Sequence, residues 1–227
     1  MPQRRSWVSA LVAQVCDYVF EEVDEPLEVQ PVELEPHPVI AVVSASPRSG
    51  ATTVARMLAA ELASRSDGAA IVTSPVAVRR ATPPSRAAAK LATALSGVAG
   101  VVPCGRLCIV SGSLADVAAA ARYRAPVVLD LPADGSAAGV ATIAQRAVVV
   151  AAGSGEPALL DAVASVIGGD PVKVANRVTD PGEWGSRAAV LLPDSRVAAR
   201  AAALGTRALG PLGTGISALA DALEARR

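Results

Sequence analysis

Val39-Ile-Ala-Val-Val-Ser-Ala-Ser-Pro-Arg-Ser-Gly-Ala-Thr-Thr53, followed directly by VARMLAAELASR (54–65), reads as strand, tight loop and helix. Residues 39–44 are continuously apolar up to a terminal serine, as in a strand buried on both faces. Pro47 and Gly50 then break the pattern, and Val54, Met57, Leu58 and Leu62 recur at the three- and four-residue spacing of one helix face. A short loop between a buried strand and a helix is the setting in which backbone N–H groups and the positive helix end cradle a phosphate. The pattern for such a loop is G-x-x-x-x-G-K-[ST]: glycines let the amides curl around the anion, lysine neutralises it and the hydroxyl holds magnesium. The register here gives Ala45, Gly50, Ala51 and Thr52, so the second glycine and the hydroxyl are present while the first glycine and the lysine are not. On these residues alone, a Ser/Thr-rich helix start after a glycine turn would read the same way.

Outward from this segment, short apolar runs alternate with Ala-rich stretches of helical period. The runs are 39–44, 69–74, 107–112, 126–131, 147–152, 172–176 and 189–193, and helices are expected at about 53–66, 84–98, 113–123, 137–145, 156–168, 195–203 and 215–226. Repeated strand–helix alternation predicts an α/β fold, a mostly parallel sheet with helices on both faces. Ligands of such sheets bind beyond the carboxyl ends of the strands. The run at 126–131 ends in Asp130-Leu131-Pro132, which puts a carboxylate at a strand end where it would hold the water shell of a magnesium ion or, equally, cap a turn.

Composition narrows the function classes. The 227 residues are 52% hydrophobic and 19% charged, which fits a folded domain and excludes a wholly disordered chain. Uninterrupted apolar runs such as Val39–Val43 and Ala147–Ala152 are far shorter than the roughly 20 residues that cross a bilayer, so no transmembrane segment is expected. Net charge is zero, yet residues 1–38 carry eight acidic and two basic side chains while residues 39–227 carry 13 and 19. The scattered bases of the body do not form the stripe that specific nucleic-acid binding uses. Three cysteines and one histidine offer no zinc ligand set, and Cys104 and Cys108 read as reduced, buried fillers in a cytoplasmic protein.

Three parts follow from these shifts. Residues 1–20 carry Trp7, Val8, Leu11, Val12, Val15, Tyr18 and Val19 at helical spacing, an amphipathic helix expected to dock on the body, a protein partner or a membrane surface. Residues 21–38, with acids recurring and four prolines, form an extended linker. Residues 39–227 form the α/β domain.

Residues 38–227 resemble the MinD/ParA family of P-loop ATPases. The loop looks like that family's K-G-G-x-G-K-T-T, Asp130-Leu131-Pro132 resembles its D-x-P switch, and 147–163 is similar to its strand and following helix. VKVANRV (172–178) resembles the strand whose terminal asparagine, here Asn176, contacts adenine, and 191–205 resembles the closing segment. The resemblance implies a nucleotide held by Ser46, Arg48, Ser49, Gly50, Ala51, Thr52, Thr53 and Asn176, with magnesium on Thr52 and Asp130. Yet the signature lysine is Ser46, two loop glycines are Pro47 and Arg48, the phosphate lysine is Ala51, and 72–75 reads VTSP without the family's frequent aspartate. Ala51-Thr52-Thr53 resembles the TadZ/CpaE branch, which positions pilus machinery. The reading at this level is a spatial-positioning or assembly scaffold with no catalytic residue, binding ATP or ADP with Mg2+ weakly or not at all, and forming a homodimer or higher assembly. The alternatives are a slow ATPase in which Arg48 or a partner supplies the missing cation, and a structural subunit without ligand.

Overall fold

Val39–Ser44 forms β1 at the centre of the sheet, and its alternation sorts the two layers. Val39, Ala41 and Val43 are buried in one core, Ile40 and Val42 in the other, so an unbroken apolar run is what both faces require. The computed structural model describes residues 35–66, 68–73, 82–97, 100–133, 139 and 143–225. The expected N-terminal helix 1–20, all of the linker but residues 35–38, and residues 137–138 and 140–142 of the helix expected at 137–145 lie outside the described residues.

After β1 the chain runs α1 (Ala51–Arg65), β2 (Ala70–Thr73), α2 (Arg86–Leu95), β3 (Gly100–Cys104), β4 (Leu107–Ser111), α3 (Leu114–Ala121) and β5 (Val127–Leu131). It continues through β6 (Arg146–Ala152), α4 (Pro157–Ile167), β7 (Val172–Val178), a single 3-10 turn (Gly182–Trp184), β8 (Val190–Pro193), α5 (Arg196–Ala203) and α6 (Gly210–Glu224). The sheet order is β3-β4-β2-β5-β1-β6-β7-β8, and every pair is parallel except β3–β4. This is the predicted α/β architecture. The chain builds outward from β1 on one side and, after β5, crosses to build on the other, so the crevice beyond the carboxyl end of β1 lies between β5 and β6.

Helix α1 lies on the first core and buries eleven of its fifteen residues, because α5 and α6 cover the face turned away from the sheet. Its alanines let three layers approach closely. Glu61 is buried there and is held by Arg207 and Arg65. Helices α2 and α3 cover the second face, and α4 with Trp184 packs on β6 and β7.

Two elements differ from the sequence reading. Residues 100–104 form an eighth strand, an antiparallel partner of β4 whose exposed–intermediate alternation belongs to a sheet edge, where Pro103 is tolerated. Cys104 and Cys108 therefore flank a hairpin turn, Gly105-Arg106, and lie buried in opposite cores. Helix α6 begins at Gly210 and not near 215: Gly213 and Gly215 sit inside it because a Cβ there would press on Ala208 O and on Leu192 Cδ2. Close approach of the Ala208 carbonyl at Gly213 and of β8 at Gly215 overrides the low helix propensity of glycine. Among the described residues no helix is long and apolar enough to cross a membrane.

Candidate functional site

The loop from Ala45 to Gly50 leaves the carboxyl end of β1 and is anchored at its base by Ala45 N–H to Val150 O at 2.8 Å. Ser44 Oγ donates to Ser46 O at 2.6 Å and lies 2.7 Å from Ser49 Oγ, while Ser49 N–H donates to Ser46 O at 3.2 Å. These bonds brace the loop from within. Ser49 is fully buried, so its hydroxyl serves this bracing, with Ala51 N–H directed at it at 3.3 Å. Ser46 takes part through its carbonyl. Neither Ser44 nor its hydroxyl bridge was visible in the sequence, because a serine ending a strand has no distinctive spacing.

Gly50 is the N-cap of α1, at φ +83°, a left-handed conformation that explains why glycine stands here. A Cβ at that position would also collide with Asn176 Nδ2. Gly50 has no side chain with which to cap the helix, no acidic residue occupies the first turn, and among these amides the Ala51 N–H is taken by Ser49 Oγ, so the positive helix end borders the space above it without a charged cap. That space is a cavity of about 450 Å³, whose walls include Arg48, Gly50, Ala51, Thr52 and Asp130. The topology thus brings the expected magnesium pair, Thr52 and Asp130, to one cavity. Asp130 is 5% exposed, and its N–H donates to Thr73 Oγ1 at 3.1 Å, so the strand end that lacks an aspartate braces the carboxylate-bearing strand instead.

Thr53 and Asn176 face a second cavity, of about 330 Å³, together with Arg177, Asp194 and Arg196. Gly50 borders both cavities, so the loop forms the partition between them. Asn176 is 5% exposed and its Nδ2 donates to Ser49 O at 2.9 Å. Arg177 Nη2 donates to Arg48 O at 2.6 Å. Sequence reading missed Arg177.

The donor set suits a phosphate chain in part. The αL glycine, the uncapped helix end and the hydroxyl–carboxylate pair are those an anion bridged by a hydrated divalent cation would need. The cations do not match: Ala51 is a buried methyl where a phosphate lysine would stand.

Comparisons with known proteins bear on the fold. No protein-family model matches the chain, and no curated protein matches it by sequence. Among solved structures it is similar to a ParA family ATPase from Chlorobium tepidum, at 14% identity over 81% of this chain and 98% of that one, with a TM-score of 0.56. The septum site-determining protein MinD of Pyrococcus horikoshii, solved with Mg-ADP, aligns at 14% identity over 83% and 96%, with a TM-score of 0.58. The MinC:MinD cell division complex of Aquifex aeolicus aligns at 12% identity over 83% and 96%, with a TM-score of 0.56. The chain shares the fold of these proteins.

Proposed function

We propose that this protein is a MinD/ParA-like scaffold with a degenerate nucleotide site, which positions or assembles other proteins and does not turn over substrate. The observation that carries the reading is the loop itself: it keeps the αL glycine, the uncapped helix end and the Thr52–Asp130 pair, while Ser46 and Ala51 stand at both lysine positions. Phosphoryl transfer asks the protein for positioning and for neutralisation of charge on the equatorial oxygens. Without either lysine the second requirement fails, so Mg-ATP or Mg-ADP is held weakly and not hydrolysed. Solution of the Pyrococcus relative with Mg-ADP supports the choice of ligand.

The complex of the Aquifex relative with MinC supports a protein partner. In this reading the partner is pilus or envelope machinery of the TadZ/CpaE kind, recruited in the cytoplasm through residues 1–20, and the chain assembles as a dimer across the face carrying Asp130-Leu131-Pro132. The test is calorimetry of the full chain with ATP and magnesium, coupled to phosphate release against an Asp130→Ala control. Weak binding without release is the expected result. Release above the control would instead establish a slow ATPase, a reading favoured by the presence of Arg48 in the cavity wall. No binding at all would reduce the chain to a structural subunit.

A further inference from the structure

Consecutive residues of a strand point to opposite faces, yet Asn176 and Arg177 both reach the same loop. The cause is a bulge: the β7–β8 register shifts between Asn176 and Val178, and Arg177 adopts φ +61°. Gly153, at the end of β6, permits it, since a Cβ there would press on Arg177 O. At the other end of the bond, Arg48 also has positive φ, +64°. Two non-glycine residues in the left-handed region therefore meet through a single hydrogen bond. Such conformations persist only where the surroundings impose them, and they gather at functional sites.

A planar trans peptide sends its C=O and N–H in opposite directions. Drawing Arg48 O toward Arg177 turns the Ser49 N–H inward onto Ser46 O, and drawing Ser49 O toward Asn176, which lines the second cavity, turns the Gly50 N–H to the opposite side of the loop. We infer that Asn176 and Arg177 are positioning residues, a clasp on the back of the loop that presets the Gly50 amide for a polyphosphate in a site that has lost its lysines. The inference rests on the proposed nucleotide reading. It also gives Asn176 a task other than touching the base.

The clasp predicts a protease signature that needs no ligand. Trypsin cleaves after Arg48, an exposed residue whose carbonyl the clasp restrains. In the full chain, Arg177→Ala should speed cleavage at the Arg48–Ser49 bond by about tenfold, about 1.4 kcal/mol of protection lost, with other arginine sites unchanged, and Arg177→Lys should restore slow cleavage. Calorimetry with magnesium tripolyphosphate and with Mg-ATP supplies the second arm: Asn176→Ala and Arg177→Ala should weaken both ligands by the same factor. Cleavage insensitive to Arg177 would overturn the clasp whatever binds. A loss confined to ATP in Asn176→Ala would overturn it in favour of a base contact. Arg177-dependent cleavage in a wild type that binds neither ligand would sink both the nucleotide reading and the positioning role. Because Arg177 is exposed, its variants keep the test open should Asn176→Ala not fold.

Discussion

Arg207 grips the buried Glu61 from the far side of α1, Nε to Oε2 at 2.6 Å and Nη2 to Oε1 at 3.1 Å, across 146 residues of sequence. Arg65 adds a third bond to the same carboxylate at 3.2 Å and reaches Asp221 and Glu224 on α6. One carboxylate thus ties α1 to the segment between α5 and α6.

Burial pushes the Glu61 carboxyl upward, but the bonds from Arg207, Arg65 and Ser217 outweigh it and the net shift is downward. A lowered folded value contributes stability that is fully present above the unfolded value of about 4.3 and is lost as pH falls through the folded value. Resistance to urea in the wild type should weaken as pH falls below about 5 for this reason. Glu61→Gln should cost about 2 kcal/mol near neutrality, with the half-exposed Arg207 keeping the figure below that of a fully buried pair. The gap between the two proteins should narrow in acid. Parallel pH profiles would exclude this role.

Gly105 and Gly205 dock the β3–β4 turn onto the end of α5, with Arg106 N–H donating to Gly205 O at 3.0 Å. Gly205 has φ +63°, and a Cβ there would strike the Cys104 carbonyl. Gly169 has φ +66° but open space around it. Gly169→Ala should therefore cost only the left-handed strain, about 1 kcal/mol, and Gly205→Ala more than about 2 kcal/mol. Equal losses on denaturant titration would mean that the contact yields freely.

Burial pushes the Cys108 thiol up to about 11, and its Sγ lies 3.1 Å from Ala88 O. At about pH 8 an ordinary thiol is partly ionised, whereas this one carries almost no thiolate. Iodoacetamide should leave Cys108 unlabelled in the native protein and label it in urea, read by peptide mass spectrometry. Rapid native labelling would show that α2 opens readily over the thiol.

Ala51, 5% exposed, is the first residue of α1 and borders the 450 Å³ cavity. Ala51→Lys should lower stability by about 1 kcal/mol, since a cation at a helix N-terminus opposes the dipole, while raising affinity for Mg-ATP at least about tenfold, a gain of about 1.4 kcal/mol. Calorimetry reads the second effect and thermal unfolding the first. A lysine that brings no affinity would argue against phosphate in this cavity.

The sequence by itself determined the layer order, because unbroken apolar runs and helical stripes report locally which faces are buried. It also determined which residue types stand in the loop after β1 and at the end of β5, namely Ser46, Gly50, Ala51 and Thr52, with Asp130. Tertiary structure alone decided which distant residues meet. Residues 100–104 became a strand because β4 offered a free edge, and Gly210–Glu224 became one helix because the Ala208 carbonyl approaches Gly213 and β8 approaches Gly215 closely. Thr73 braces Asp130 because β2 lies beside β5, and Arg177 joins Asn176 on the loop, across 129 and 127 residues, because the β7–β8 register shifts just after Asn176. Periodicity along a chain encodes burial at each position, whereas strand order and register, which bring these side chains together, are settled by the packing of the whole sheet.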